Sequence, residues 1–162
     1  MSKVLVDGTN NEVIVPKLAI IMRGLPGSGK SYWAEQFIIS QGIEQAIHIR
    51  QHGYFSTDRY FYYQGEYRFN PQKIAQYHQA NLTAFIQALA RSEPIVICDN
   101  TNIAKWEFMA YEAAAKALGY KVNVVSVGQP KDEPHQQLCA QRNQHHVPLI
   151  QIQKMAQLFE EW

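Results

Sequence analysis

Residues 24–31 read Gly24-Leu25-Pro26-Gly27-Ser28-Gly29-Lys30-Ser31, spaced as G-x-x-x-x-G-K-[ST], and the residues before them, Lys17 to Arg23, form a mostly apolar run. That order predicts a buried strand, a glycine loop and a helix opening at Lys30. The chemistry explains the residue types. Glycines let backbone N–H groups curl around α- and β-phosphates, Lys30 reaches the β- and γ-phosphates, and the Ser31 hydroxyl ligates Mg²⁺ at a helix N-terminus. A glycine turn that binds nothing is the bland alternative. With glycine at about 7% of residues, a chance match in a chain this long is on the order of one in a hundred. The expected ligands are therefore a nucleoside triphosphate and Mg²⁺, with Gly24, Leu25, Pro26, Gly27, Ser28, Gly29, Lys30, Ser31 and the next residue, Tyr32, as nucleotide-binding positions.

At 162 residues and 46% hydrophobic, the chain suffices for one domain with a proper core and is too short for two. Lys and Arg total 15 against 14 Asp and Glu, so no global basic field exists to hold a long duplex. A short single-stranded end or a small molecule fits that balance. Cys98 and Cys139 lie far apart without a partner motif, and no leader pattern opens the chain. The expectation is a reduced, cytoplasmic protein with no disulfide-linked partner. No apolar run approaches the roughly 20 residues a bilayer requires, so no membrane segment is expected.

Apolar strands alternate with helical patterns from Lys17 onward. Strands are expected at Leu18–Met22, Tyr54–Thr57, Ile95–Cys98 and Val122–Val127, and helices at about 30–40, 71–91, 103–118, 132–143 and 148–161. Such alternation builds a parallel sheet with helices on both faces. Residues 1–16 read as an N-terminal extension, either a β-hairpin around Asp7-Gly8-Thr9-Asn10 or a loose leader, and 17–162 as the main domain.

Ligands of open parallel sheets sit beyond the carboxyl ends of the strands, which directs attention to Ser56-Thr57-Asp58-Arg59 and Asp99-Asn100-Thr101-Asn102. Asp58 is a candidate base for an attacking hydroxyl during γ-phosphoryl transfer, or an ordinary turn aspartate. Asp99, at a strand end, is placed for Mg²⁺ or its waters. Arg142 precedes a polar connection, Asn143 to Pro148, that reads as a lid. It suits charge neutralisation on the transferring phosphoryl, or merely a helix C-terminus. His145 and His146 lack companions at metal-ligand spacing and read as solvated. The aromatic stretch Tyr60 to Phe69 either stacks a base or packs its own loop.

Together these segments resemble the P-loop kinases related to phage polynucleotide kinase, and more closely the ATP-binding domain of NEDD4-binding protein 2 and its like proteins. The resemblance rests on residues 24–31 with Trp33, on Ser56-Thr57-Asp58, on Tyr63 to Phe69, and on Ile97 to Asn102 with Trp106-Glu107. It continues through Gly119 to Val122 and through Arg142-Asn143, His145 and Val147-Pro148, spanning about residues 17–160. It implies an α/β fold: a P-loop NTPase three-layer αβα sandwich with a mainly parallel sheet and a short helical lid. The implied activity is an ATP-dependent kinase acting on a 5′-hydroxyl, with Asp58 as base, Arg142 in the lid, and Ser31 with Asp99 at the metal. Three departures stand out. Arg59 follows Asp58 where related kinases often have a second Asp. Asn100 precedes Thr-Asn where the phage enzyme has Asp. The lid is short and carries histidines.

The sequence thus predicts a phosphotransferase whose acceptor is a 5′-hydroxyl oligonucleotide or nucleotide. A small-metabolite kinase of the same fold and a non-kinase ATPase switch are the alternatives, and Asp58 separates them, since a switch needs no base aimed at an acceptor.

Overall fold

The structure is a computed structural model that describes residues 17–161, together with the backbone of 5–6 and 12–13. Its elements run β1 (Leu5–Val6), β2 (Glu12–Val13), β3 (Leu18–Arg23), α1 (Lys30–Ser40), α2 (Ile43–His52) and β4 (Tyr54–Phe55). They continue with β5 (Tyr62–Tyr63), β6 (Glu66–Tyr67), α3 (Ile74–Ala90), β7 (Ile95–Asp99), α4 (Lys105–Ala117), β8 (Lys121–Ser126), α5 (Glu133–Arg142) and α6 (Leu149–Leu158). One four-stranded sheet has the order β4-β7-β3-β8, and every pairing in it is parallel.

The strand that leads into the glycine loop is central, and its composition requires that place. Residues 19–23 of β3 are all buried, the unbroken pattern of a strand covered on both faces. Successive side chains point to opposite sides. Ala19 and Ile21 join Phe85, Leu89, Phe108 and Tyr111 beneath α3 and α4. Ile20 and Met22 join Ala34, Ile38, Ala46 and Ile49 beneath α1 and α2. These are the three layers that the alternation predicts. At the edge, β8 exposes Lys121, Asn123 and Ser126 while half-burying its valines, which keeps an edge strand from pairing further. A third cluster, Leu25, Ile103, Cys139, Ile152, Ala156 and Phe159, packs α5 and α6 against the glycine loop. Full burial of such a side chain contributes about 1.5–3 kcal/mol, so the helical pair is anchored by the loop's own Leu25.

Three local expectations change. The second strand stops at Phe55, and Thr57–Phe61 is a 3₁₀ turn in which Arg59 N–H donates to Ser56 O at 3.2 Å. Helix α2 occupies a stretch with no predicted element. It buries only Ala46 and Ile49 and leaves Ile43 and Ile47 exposed, so its periodicity is weak. Finally, β5 and β6 form a hairpin turned by Gln64 (φ 51°) and Gly65 (φ 79°), both in the left-handed region that tight hairpins need. At the N-terminus, Leu5 pairs with Val13 and Val6 with Glu12, antiparallel. The remaining residues of the expected hairpin lie outside the described residues.

Candidate functional site

The loop between β3 and α1 is shaped for an anion. Gly29, the residue that opens α1, has φ 104° and supplies no side-chain cap, and no acidic residue stands in the first turn. The helix thereby presents free N–H groups and the positive end of its dipole. Inside the loop, the buried Ser28 hydroxyl has no hydrogen-bond partner among the described residues. Gly27 (φ 79°) admits no side chain, because a Cβ there would meet the Cys139 carbonyl oxygen at 2.4 Å and the Asn143 nitrogen at 2.9 Å. The close approach of α5 demands the glycine. Lys30 folds back so that Nζ donates to Leu25 O at 3.1 Å. Burial pushes its ammonium below the usual lysine range, opposed by the Asp99 and Asp58 carboxylates. A buried cation, an unpartnered hydroxyl and an uncapped helix fit a polyphosphate.

Beside the loop, Ser31 Oγ donates to Asp99 Oδ2 at 2.9 Å, and the Tyr54 hydroxyl donates to the same oxygen. Asp99 closes β7 and is 5% exposed. Burial and the Asp99 charge push the Tyr54 phenol far above its usual range, so it remains a donor. A hydroxyl and a carboxylate, both hard oxygen donors, suit Mg²⁺, which keeps most of its waters and takes one or two carboxylates. Tyr54 was expected as the first residue of a strand and not as a site residue. Its only signal was its place on the strand next to β7, in register with Ile97.

Asp58 stands on the 3₁₀ turn that follows β4, its side chain 58% exposed. The turn is tied to the end of β7: Thr57 N–H donates to Asn100 Oδ1 at 2.9 Å, and Thr57 Oγ1 lies 3.0 Å from His78 Nδ1. Asn100 thus braces the Asp58 turn while Asp99 faces the phosphate loop. Arg59 stands in place of a second acid. It donates to Tyr54 O at 2.8 Å and lies over the Tyr54 ring.

The lid connection reaches the same place. His145 Nε2 is 3.6 Å from Asp58 Oδ2, and its ring stacks on Tyr67 at 3.8 Å between centroids and 22° between planes. With 22% of its side chain exposed, His145 is a packed residue and not the solvated one expected. Burial and the nearby Asp58 charge push the Tyr67 phenol up to about 12. Much of the aromatic stretch packs internally. Phe61 contacts Tyr67, Phe69 and Tyr77, and Tyr60 stacks on Tyr77. At the lid's base, Asn143 Nδ2 donates to the carbonyls of Cys139, Ala140 and Val147, and Oδ1 accepts from Val147 N–H at 2.7 Å. Arg142, the last residue of α5, donates to Gly27 O through Nε and Nη2. Tyr32, in the first turn of α1, is 72% exposed.

Both cysteines are free and buried, and among the described residues no helix is long and apolar enough to cross a membrane. Two concavities flank Tyr54 and Arg59. One of about 380 Å³ reaches Ser31, Glu35 and Arg50, and another of about 270 Å³ reaches Ser56, Tyr60 and Asn81.

Comparison with known proteins agrees with this architecture. Human NEDD4-binding protein 2 is 33% identical over 103 residues, which cover 64% of this chain and 5% of that protein. Among solved structures, Chaetomium thermophilum Kti12 in complex with ADP-AlF3 superposes with a TM-score of 0.55 at 22% identity, covering 88% of this chain and 80% of that one. A gluconokinase from Sinorhizobium meliloti 1021 gives 0.53 at 16% identity, covering 91% and 77%. A chain of the Pnkp1/Rnl/Hen1 complex gives 0.54 at 21%, covering 76% and 39%. These superpositions share the fold. The AAA domain family profile matches residues 20–162, and the chain accordingly belongs to that family, with a P-loop kinase-like fold.

Proposed function

We propose that this protein transfers the γ-phosphoryl group of ATP to a hydroxyl, the 5′-hydroxyl of a nucleic acid or nucleotide. The observation that carries the reading is the placement of two acids at neighbouring strand ends: Asp99 accepts from Ser31 beside the phosphate loop, and Asp58 stands on the turn whose Thr57 N–H is tied to Asn100, the residue after Asp99. A phosphate-binding lysine, a metal-side acid and a second, more exposed acid are then within one electrostatic neighbourhood. That second acid is what a kinase needs and a switch does not.

In this reading Lys30 leaves the Leu25 carbonyl for the β- and γ-phosphates, and the loop N–H groups and the Ser28 hydroxyl hold the remaining oxygens. Ser31 and Asp99 would hold Mg²⁺, which would supply charge neutralisation at the phosphates. Asp58 accepts the proton of the acceptor hydroxyl as that hydroxyl's oxygen bonds the γ-phosphorus in line and the bond from the γ-phosphorus to the β,γ-bridging oxygen breaks, with ADP as the leaving group. Arg142, released from Gly27, stabilises charge on the transferring group. Such catalysis is mainly positioning and electrostatics. The motif resemblance to polynucleotide kinases supports a 5′-hydroxyl acceptor, and the gluconokinase likeness keeps a small hydroxyl metabolite as the second reading. The free buried thiols fit a reducing, cytoplasmic setting.

The test is label transfer from γ-labelled ATP with Mg²⁺ to 5′-hydroxyl DNA and RNA oligonucleotides, comparing wild type with Asp58→Asn. Transfer that falls by about 10²–10⁴-fold in the variant, with ATP binding intact, supports the reading. ATP binding without transfer to any oligonucleotide overturns the nucleic-acid acceptor.

A further inference from the structure

The carboxylate that the proposed reaction needs as its base is held by little. The backbone of its turn is fixed, by Thr57 N–H on Asn100 and by Arg59 N–H on Ser56, but the Asp58 side chain stands 58% exposed. Among the described residues no hydrogen bond reaches that carboxylate, and its one ion-pair partner is His145, whose Nε2 lies 3.6 Å from Oδ2. An unbraced aspartate samples three staggered χ1 rotamers. A base uses the one aimed at its hydroxyl, and a misplacement of about 1 Å costs about 10²-fold in rate.

His145, by contrast, is held on several sides. Its ring stacks on Tyr67 at 3.8 Å and 22°, and meets Tyr62 edge-on at 6.3 Å. Those two tyrosines are a cross-strand pair of the β5–β6 hairpin, with ring centroids 5.3 Å apart. Tyr67 also meets the buried Phe61, which belongs to the same 3₁₀ turn as Asp58. The imidazole, the hairpin and the turn therefore pack as one unit. Along the chain, Asn143 ties the start of the lid connection to Val147. His146 takes φ 57°, a left-handed turn that His and Asn tolerate better than most residues. Packing thus places the ring, and the edge it turns to Asp58 carries Nε2.

We propose that His145 is the positioning residue for Asp58: its Nε2–H holds the carboxylate in the rotamer that faces the acceptor hydroxyl. The separation is longer than a hydrogen bond, and contacts of this kind tighten in the substrate complex. An exposed pair adds little to stability; its worth here is orientation. Arg142 and His145 stand three residues apart, so one short connection serves both the transferring phosphoryl and the base.

The inference rests on the kinase reading for its purpose and has a readout that does not. Two variants separate the ring from its nitrogen. His145→Phe keeps a ring for Tyr67 and removes the N–H; His145→Gln keeps an N–H at the ε position and removes the ring. In the full chain labelled with ¹³C-aspartate, three-bond couplings across the Asp58 Cα–Cβ bond should report one rotamer in wild type and in His145→Gln, and rotational averaging in His145→Phe. In the label-transfer assay, kcat should fall about 10–100-fold in His145→Phe with KM for ATP unchanged, and recover severalfold in His145→Gln. In an Asp58→Asn background His145→Phe should cost nothing further, because it acts through the carboxylate. His146→Asn should match wild type throughout, and amide exchange at Val147 should be the same in every variant. Averaged couplings in wild type overturn the assignment, as does a His145→Gln no faster than His145→Phe. A loss that persists in the Asp58→Asn background, or Val147 exchange that speeds in His145→Phe, overturns it in favour of a merely structural lid residue. A wild type that binds ATP and phosphorylates no oligonucleotide overturns the nucleic-acid acceptor, and the couplings then decide the assignment alone.

Discussion

The Arg142 guanidinium holds the Gly27 carbonyl oxygen through two N–H groups, Nε at 3.1 Å and Nη2 at 2.9 Å. One end of the contact is the phosphate loop, and the other is the last residue before the lid. The cation is thereby stationed at the rim of the loop that the proposed function assigns to the triphosphate. Replacement by Lys keeps the charge and loses the planar fork. Arg142→Ala is expected to lower kcat by about 10³-fold or more, the scale of a transition-state arginine, with ATP affinity changed far less. Single-turnover kinetics beside equilibrium ATP binding make the comparison. A loss confined to affinity would show that Arg142 only braces the loop.

Lys30 carries the opposite cost. Its ammonium is desolvated and pushed below its usual range, so the unfolded chain binds that proton more tightly than the folded one. Stability of the nucleotide-free protein therefore rises with pH across the interval between the depressed folded-state value and the ordinary lysine value. Lys30→Met should remove that slope and raise the melting temperature by a few degrees, at roughly 2–4 °C per kcal/mol for a chain of this size. The same variant should weaken ATP binding by about 10–100-fold, the loss of a charged hydrogen bond. Calorimetric melts from pH 7 to 10 and an ATP titration test both parts.

What the sequence made legible follows periodicity and fixed-spacing chemistry. The strand, loop and helix around Lys30 were readable because each device acts within a few residues. Asp99 at the end of an apolar strand was readable for the same reason. Tyr54 was not, because its partner oxygen belongs to another strand and only the parallel register of β4 with β7 brings them together. His145 was misread as solvated because its stacking partner, Tyr67, lies 78 positions earlier on a hairpin that has no strand-length run. Helix α2 escaped notice because two buried residues make too faint a stripe. Arg23 closes the apolar run before the loop, and nothing local marks an arginine that will be sealed inside.

The lid's base depends on one side chain. Asn143 bonds the carbonyls of Cys139, Ala140 and Val147 and the Val147 N–H, which confines any opening to the tip, Gln144 to His146. Asn143→Ala removes these bonds, each with a net contribution of about 1 kcal/mol. Amide exchange at Val147 should then speed by at least tenfold, while amides of β3 and β7 keep their protection. If the lid must hold His145 and Arg142 in place, the variant also loses turnover more than ATP affinity. Unchanged exchange at Val147 would show that the loop is held by something else.

Arg23 is fully buried at the residue before the phosphate loop, and its guanidinium joins three carbonyls: Asn102 at 2.8 Å, Ile103 at 2.9 Å and Glu160 at 2.6 Å. The rings of Phe108 and Phe159 lie over it at 4.7 and 4.3 Å. Burial pulls its ionisation below the usual arginine range, and Glu160 and Glu107 oppose that; the group is charged at any working pH. One side chain thus fastens the end of β3, the loop after β7 and the chain beyond α6, all of which frame the site. Arg23→Met keeps much of the volume and strands three carbonyls, each unsatisfied buried acceptor costing about 1–3 kcal/mol, so a loss of about 3 kcal/mol or more is expected. That corresponds to a fall in melting temperature of roughly 10 °C. Arg23→Lys should recover little of it, since an ammonium cannot reach three carbonyls while lying flat between two rings. Thermal melts of both variants decide the matter. A methionine variant as stable as wild type would mean that the aromatic sandwich, not the charge, holds the C-terminal segment to the phosphate loop.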